Sequence, residues 1–357
     1  MHCPSPARMP AIRNSSSGHA SLPSLLSRFF KSPLPALFAA LPLLLLLIAP
    51  RTAFPADDAY YHIREIKPNV FVWVAEDILD QEGDPQFNRA GNAGFIITHD
   101  GVVVVNTTNS PFNARALLFE IRKRTNQPVR YVIDTGASPD VMLGNESFTD
   151  FKPVILSTSA AAEAMRNYRK ALPVRLQGNW RLAESMRGVH PTPPTQTFDK
   201  DTTLQVGGQE IKLINLGDNI TPGDAAVYLP QSKVVFLGNV FENEYIPRIG
   251  SANINRWIGT LKKVESWDAD VYIPSHGQPG GKAQVAQFRQ FIEWLSGQVR
   301  LGVKKGKTLE QIQNDLIPFQ GFHWHAPELE TDAVAGVYHF LVSSKDQASS
   351  SAETPSP

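Results

Sequence analysis

The side chains able to do chemistry fall in a few short stretches. Val132-Ile133-Asp134-Thr135-Gly136-Ala137-Ser138-Pro139-Asp140-Val141 carries two aspartates and a serine. Thr221-Pro222-Gly223-Asp224 and Val234-Val235-Phe236-Leu237-Gly238-Asn239 add an aspartate and an amide, and Ser275-His276-Gly277 adds an imidazole. Carboxylates and imidazole ligate metals and move protons, but zinc wants about four N, O or S donors. Asp134, Asp218, Asp224, Glu242 and Glu244 could instead furnish an oxygen-rich site for Ca²⁺ or Mg²⁺. Their spacing matches no calcium loop, and solvated loop carboxylates are the plainer reading. His323-Trp324-His325 would place two imidazoles on one face of a strand. That segment leads into Val334 to Leu341, whose spacing suits a packed terminal helix, so packing or surface exposure is the expectation.

The elements that must hold these residues alternate. Val70-Phe71-Val72-Trp73-Val74 reads as a strand, and residues 77–93 as a loop with Gly83, Pro85 and Gly91. Ala93 to Ile97 and Val102 to Val105 flank His99-Asp100-Gly101, a hairpin signal. Residues 112–124 place Ala116, Leu117 and Ile121 at helical spacing, with basic residues on the other side. Arg130 to Ile133 is a buried strand feeding the first stretch. Helix over 159–172, a hairpin from Thr203 to Leu216 about Gly207-Gly208, and helices over 253–265 and 281–300 follow. Thr308, with Gln311 three residues on, predicts a capping box, and Pro318 an end to that helix. Strands interleaved with helices indicate an α/β domain.

Composition bounds the function. The 357 residues carry zero formal net charge, unevenly placed: Arg8, Arg13, Arg28, Lys31 and Arg51 share residues 1–56 with no acid, which leaves 29 basic residues to face 34 acids beyond. No basic domain of the kind nucleic acid requires is indicated. The lead-in, the apolar run from Leu34 to Pro50 and the small residues Ala53 and Ala56 match a secretory signal. Pro35 and Pro42 interrupt a run barely long enough to span a bilayer, which favours cleavage over a retained anchor. Membrane contact is expected only through this segment, if it stays uncleaved, and an exported, periplasmic or extracellular protein follows. Cys3 is the sole cysteine. The mature part therefore has neither a disulfide nor a thiolate ligand.

The joint order of these motifs resembles the metallo-β-lactamase superfamily from about Val70 to about Gly277. Asn92 to Val105 is similar to its first hairpin, Pro194 to Asp199 with Leu204 to Gly208 to its second, and Trp257 to Val264 with Asp270 to Gly277 to its closing helix and His-Gly loop. In that family the first chemical stretch ends Thr-His-x-His-x-Asp-His and the second begins His-Thr-Pro-Gly-Asp. The resemblance implies an αββα sandwich, placed over residues 57–300, with the site at the strand ends; capping and spacing suggest a helical C-terminal extension over 301–345, and polar, Pro-containing composition a disordered tail over 346–357.

The resemblance also implies where zinc ligands should stand. Gly136 and Ser138 occupy two histidine positions, Val141 and Ile220 two more, and Asn239 the position of the bridging aspartate; Asp140 and His276 are retained. Gly, Val and Ile have no donor, so no metal is expected, and zinc only if the site is rebuilt. Changing Gly136, Ser138, Val141 and Ile220 to His and Asn239 to Asp should restore zinc binding if the loops keep the family geometry. The binding pocket is expected at Asp134, Gly136, Ser138, Asp140, Val141, Ile220, Asn239 and His276. Asp140 and His276 are the catalytic candidates; they either tie two loops together or form a surviving polar site. Asp134 to Ser138 also resembles the Asp-Thr-Gly-Ala-Ser motif of aspartic proteases, which need a second such aspartate that the chain lacks. The function expected is ligand or partner binding, to an unidentified small molecule or protein, by a degenerate relative without hydrolysis. The alternative is a metal-dependent hydrolase of ester, thioester or lactam type using a rebuilt site around Asp140 and His276.

Overall fold

Residues 61–75, 90–316, 319 and 324–352 are described by the structure, a computed structural model, and all lie in one compact unit spanning Pro55–Pro357. The signal segment expected over 1–56, the loop residues 77–89, His323, Pro318 and residues 353–357 lie outside the described residues.

Two sheets face each other. The first contains β1 (Tyr61–Lys67), β2 (Val70–Ala75), β3 (Ala93–Thr98), β4 (Gly101–Val105), β5 (Val129–Ile133), β6 (Val154–Thr158) and β7 (Gln196–Phe198), hydrogen-bonded in that order. Strands β1 to β4 pair antiparallel, and β4 to β7 pair parallel. The second sheet runs β12 (Val271–Pro274), β11 (Val234–Gly238), β10 (Asp224–Leu229), β9 (Gln209–Gly217) and β8 (Thr202–Val206). Its β11–β12 pair is parallel and the rest antiparallel.

The period of two decides which side chains meet. Val70, Val72 and Val74 enter the core between the sheets, while Phe71 and Trp73 point outward. The all-valine stretch of β4 divides likewise, with Val103 and Val105 inward and Val102 and Val104 outward. A strand with apolar residues on both faces needs cover on both. Helix α1 (Pro111–Arg124) supplies the outer cover through Ala114, Leu117, Leu118 and Ile121. Ser110 caps it, accepting from Asn113 N–H at 3.3 Å. Ala116, expected on the apolar side, lies on the half-exposed side, where Phe112 and Phe119 also stand. Helices α2 (Pro139–Met142), α3 (Ser159–Leu176) and α4 (Trp180–Ser185) follow, α3 continuing through Pro173 for four residues past the expected end.

The second sheet is covered by α5 (Ile254–Glu265) and α6 (Lys282–Lys304). Trp257 is fully buried there, and its Nε1–H donates to the Val240 carbonyl at 2.8 Å. Helix α7 (Leu309–Asn314) has the reciprocal Thr308–Gln311 cap. Helix α8 (Glu330–Ala352) extends past residue 345, where polar composition suggested a disordered tail; a helix needs only continued backbone hydrogen bonding, which Ser and Ala permit. Ile312, Leu329, Val334, Val337 and Leu341 join the apolar cluster that holds Trp257 and Phe288. The C-terminal helices are therefore part of the sandwich's outer layer.

Val337 is completely buried in that cluster. Val337→Asp should cost several kcal/mol and lower Tm by roughly 10 °C in one cooperative transition, because an unpaired charge enters the shared core. Two separate transitions in a calorimetric scan, with the first alone shifted, would show instead that the extension folds independently.

Candidate functional site

Four loops converge at one end of the sandwich: the segment after β5 leading into α2, the turn before β10, the segment after β11, and the loop after β12. Together they surround a cavity of about 240 Å³. Its polar floor joins the two sheets. Asp140 Oδ2 lies 2.7 Å from His276 Nε2 and accepts from Asn239 Nδ2–H at 3.2 Å. The Asp140 and His276 side chains are 14% and 12% exposed. Burial pushes the Asp140 carboxyl up; the hydrogen bond and charge of His276, with hydrogen bonds from Ser138 and Asn239, more than offset this and hold it below the ordinary carboxylate range. Oδ1 of Asp140 and Oδ1 of Asn239 are buried without a protein donor.

Of the eight expected pocket positions, Ser138, Asp140, Ile220, Asn239 and His276 line the cavity. Asp134, Gly136 and Val141 do not. Asp134 is fully buried, accepting from Asn145 Nδ2–H at 2.8 Å. Gly136 abuts the turn before β10: a Cβ there would lie 2.9 Å from Thr221 Oγ1 and 3.0 Å from Asp224 Oδ1. Val141 is fully buried, and its carbonyl accepts from Thr107 N–H at 2.7 Å. A one-dimensional ligand pattern marks which residues neighbour a site but not which side of the chain faces it.

The Thr221-Pro222-Gly223-Asp224 turn survives for a structural reason. Asp224 accepts from the N–H groups of Asn219, Ile220 and Thr221 and from the Thr221 hydroxyl. Burial pushes its carboxyl up to about 6, against the pull of those donors. Gly223 has φ +71°, and a Cβ would meet Thr158 Oγ1 at 2.1 Å, so only glycine fits.

The five carboxylates considered for a hard cation do not converge. Asp134 and Asp224 are buried, Asp218 is exposed and accepts from Gly223 N–H at 2.8 Å, and Glu244 is exposed. Glu242 alone of the five lines the cavity, and among the described residues no three His, Cys, Asp or Glu side chains come together. The protease reading fails on the same ground, since a fully buried Asp134 cannot reach a substrate. His325 is exposed and stacks on Tyr245, ring centroids 4.7 Å apart, while Tyr245 lies 5.9 Å from the His276 ring.

The remaining wall is one that the motifs did not signal. Tyr245, Ile246, Arg248, Ile249 and Leu329 line the cavity. Leu329 comes from the C-terminal helices, brought there because His325 N–H donates to the Glu244 carbonyl at 2.7 Å and Ile246 N–H to the His325 carbonyl at 3.0 Å. In sequence this loop is marked only by Glu242 and Glu244, considered as hard-cation carboxylates.

Zinc does not fit this donor set. Gly136, Val141 and Ile220 offer no ligand atom, the two retained ligands Asp140 and His276 are bonded to each other, and Glu242, the other carboxylate lining the cavity, does not join them in a cluster.

Two facing sheets with helices outside and a cavity at the strand ends define the αββα class of the metallo-β-lactamase type. The profile of the metallo-beta-lactamase superfamily matches residues 87–276, more than half of the chain, and the chain belongs to that superfamily. It is 20% identical over 250 residues to the linear primary-alkylsulfatase of a Pseudomonas species, covering 60% of this chain and 47% of that one. Over 238 residues it is 22% identical to the metallo-beta-lactamase type 2 of Elizabethkingia meningoseptica, covering 66% and 85%. The fold is similar to that of a stereoselective inverting sec-alkylsulfatase from Pseudomonas, with TM-score 0.58, 18% identity and coverage of 78% and 50%. This chain thus spans about half the length of these alkylsulfatases.

Two predictions follow from the walls of the site. Burial pushes the Asp134 carboxyl from its ordinary 3.8 up to about 8, opposed by the Asn145 hydrogen bond. Folding therefore takes up a proton between those values, and stability falls as pH rises through that window and levels off above about 8. Asp134→Asn should flatten the dependence of unfolding free energy on pH between about 5 and 8 in urea titrations; an unchanged slope would mean the carboxyl titrates normally. The second concerns the five-substitution variant. An imidazole at Gly136 must displace Thr221 and Asp224 from their hydrogen bonds, and one at Val141 would enter a packed wall. The variant should melt lower than wild type in chelator and gain little on adding zinc, as read by Tm.

Proposed function

We propose that this chain binds a small ligand in the cavity without zinc-dependent hydrolysis. The observation that carries the reading is the 2.7 Å contact between Asp140 and His276, which spends the two retained ligands on each other. Ile220, Ile246, Ile249 and Leu329 give the cavity an apolar wall, and Arg248 stands at its exposed rim. These favour a compact apolar molecule carrying one anionic group. The volume, about eight water molecules' worth, suits a short chain or a single ring. The similarity to a protein named as an alkylsulfatase supports the same ligand chemistry, with hydrolysis left out. The apolar run upstream of residue 51 supports export, so the ligand is one met outside the cytoplasm.

A second reading rests on the Oδ1 atoms of Asp140 and Asn239, which have no protein donor. A cation near them would support a hydrolase with a rebuilt site using Asp140, Asn239 and His276.

Elemental analysis of untagged protein separates the two. Far less than one zinc per chain, no turnover of ester, thioester or lactam substrates, and a Tm raised by octanoate or octyl sulfate are expected. Arg248→Gln should weaken that binding about tenfold, roughly 1.4 kcal/mol. Stoichiometric metal with turnover would overturn the proposal in favour of the hydrolase.

A further inference from the structure

The exposed face of α1 has a composition that its packing does not require. Its buried side is complete with Ala114, Leu117, Leu118 and Ile121. Opposite these, Phe112 and Phe119 are 64% and 61% exposed, two turns apart. At 100° per residue Phe112, Arg115, Ala116, Phe119, Arg122 and Lys123 share an arc of about 120°. No acid lies on that arc: Glu120 is buried, paired with Lys123 and Arg124, and accepts from the Tyr61 hydroxyl at 3.3 Å. The patch continues onto the neighbouring 3₁₀ segment Asn145–Phe151, where Phe151 is 42% exposed beneath the Arg122 guanidinium, 5.1 Å from its ring centroid. Lys152 extends the positive charge; the segment also holds two acids, Asp150 and Glu146, the latter accepting from His190 N–H.

We propose that this face seats on an anionic lipid surface. The argument is charge complementarity joined to insertion chemistry. Aromatic rings projecting between cations suit the boundary between headgroups and acyl chains, where rings bury and cations meet lipid phosphates. Lys123 Nζ lies over the Phe119 ring at 5.5 Å and Arg122 over Phe151, so cations cover the rings and leave a partner protein no continuous apolar core. One weak membrane signal gives only marginal attachment, and two give stable anchoring. While the apolar run at residues 34–50 is uncleaved it supplies a second signal, separated in sequence by residues 51–60 from Tyr61, whose hydroxyl bonds to α1; once it is cleaved, the α1 face gives reversible attachment alone. Sequence composition pointed to that run alone; the helix face adds a contact from the folded domain.

The test uses the full chain with Cys3→Ser, so that Ala116→Cys can carry a bimane label, and a matched chain labelled at Leu301→Cys as control. Leu301 is 49% exposed on α6. With brominated phosphatidylcholine vesicles containing 30% phosphatidylglycerol, quenching at position 116 should exceed that at 301 at least twofold. It should fall to the control level in 0.5 M salt, in Phe112→Ser/Phe119→Ser, and in Arg115→Gln/Lys123→Gln. These side chains are exposed or lie on the rim, so Tm should stay within a few degrees of wild type. Equal quenching at 116 and 301 would overturn the proposal, as would equal quenching in vesicles of phosphatidylcholine alone. Shielding of the label without vesicles that grows with protein concentration would assign the face to a second copy instead, and shielding by an oligonucleotide with none by vesicles would assign it to nucleic acid.

Discussion

The Asp140–His276 contact is the constraint on which the site depends. One partner follows β5 of the first sheet and the other follows β12 of the second, so their bond at 2.7 Å ties the sheets together at the mouth of the cavity. A buried polar pair of this kind is a poor source of net stability, because desolvating both groups offsets most of the attraction. What it fixes is geometry. Asn239 completes the arrangement by donating to the same carboxylate oxygen. An aspartate there could not donate, and without a cation it would repel Asp140. The amide therefore suits a floor held by hydrogen bonds among Asp140, Asn239 and His276.

The family's signature turns persist around this altered floor because they are needed for folding. Asp224 gathers the N–H groups of the turn before β10 that would otherwise be left unsatisfied. Asn92 links the sheets further: its side chain donates to the carbonyls of Pro274 and Gly277 and accepts from Ala75 N–H. Gly277, at φ +87°, could not carry a Cβ, which would meet the Asn243 carbonyl at 2.1 Å. None of these contacts requires a metal. The loops' own hydrogen bonding keeps the scaffold recognisable where Gly136, Ser138, Val141 and Ile220 stand in place of histidines.

The cavity also gained a wall from outside the matched family region. Backbone hydrogen bonds between residues 244–246 and His325 bring Leu329 to its rim, while Tyr245 stacks on His325. The C-terminal segment thus adds one apolar side chain, Leu329, to a cavity lined otherwise by the loops at the strand ends. The same domain carries α1 on its opposite layer, with a buried face that covers the first sheet and an exposed face rich in Phe and Arg.

The sandwich followed from the resemblance of the motifs' order to the superfamily, while periodicity, turn signals and residue identity determined an α/β domain, its hairpins, the capping box at Thr308 and the donor poverty at Gly136, Val141 and Ile220. Those features are local: period-two valines, turn glycines and the identity of single residues need no knowledge of distant neighbours. Sequence also marked Asp140 and His276 but left open whether they meet. Only the tertiary structure brought them to 2.7 Å, sent Asp134 and Val141 into the wall, and drew Leu329 in from the far end of the chain. It likewise showed that Phe112 and Phe119 share the side of α1 turned away from the sheet. Each of these depends on contacts between residues far apart in sequence or on which side of a backbone faces a cavity. Both are set by the packing of the two sheets and their helices, and a linear pattern does not carry that information.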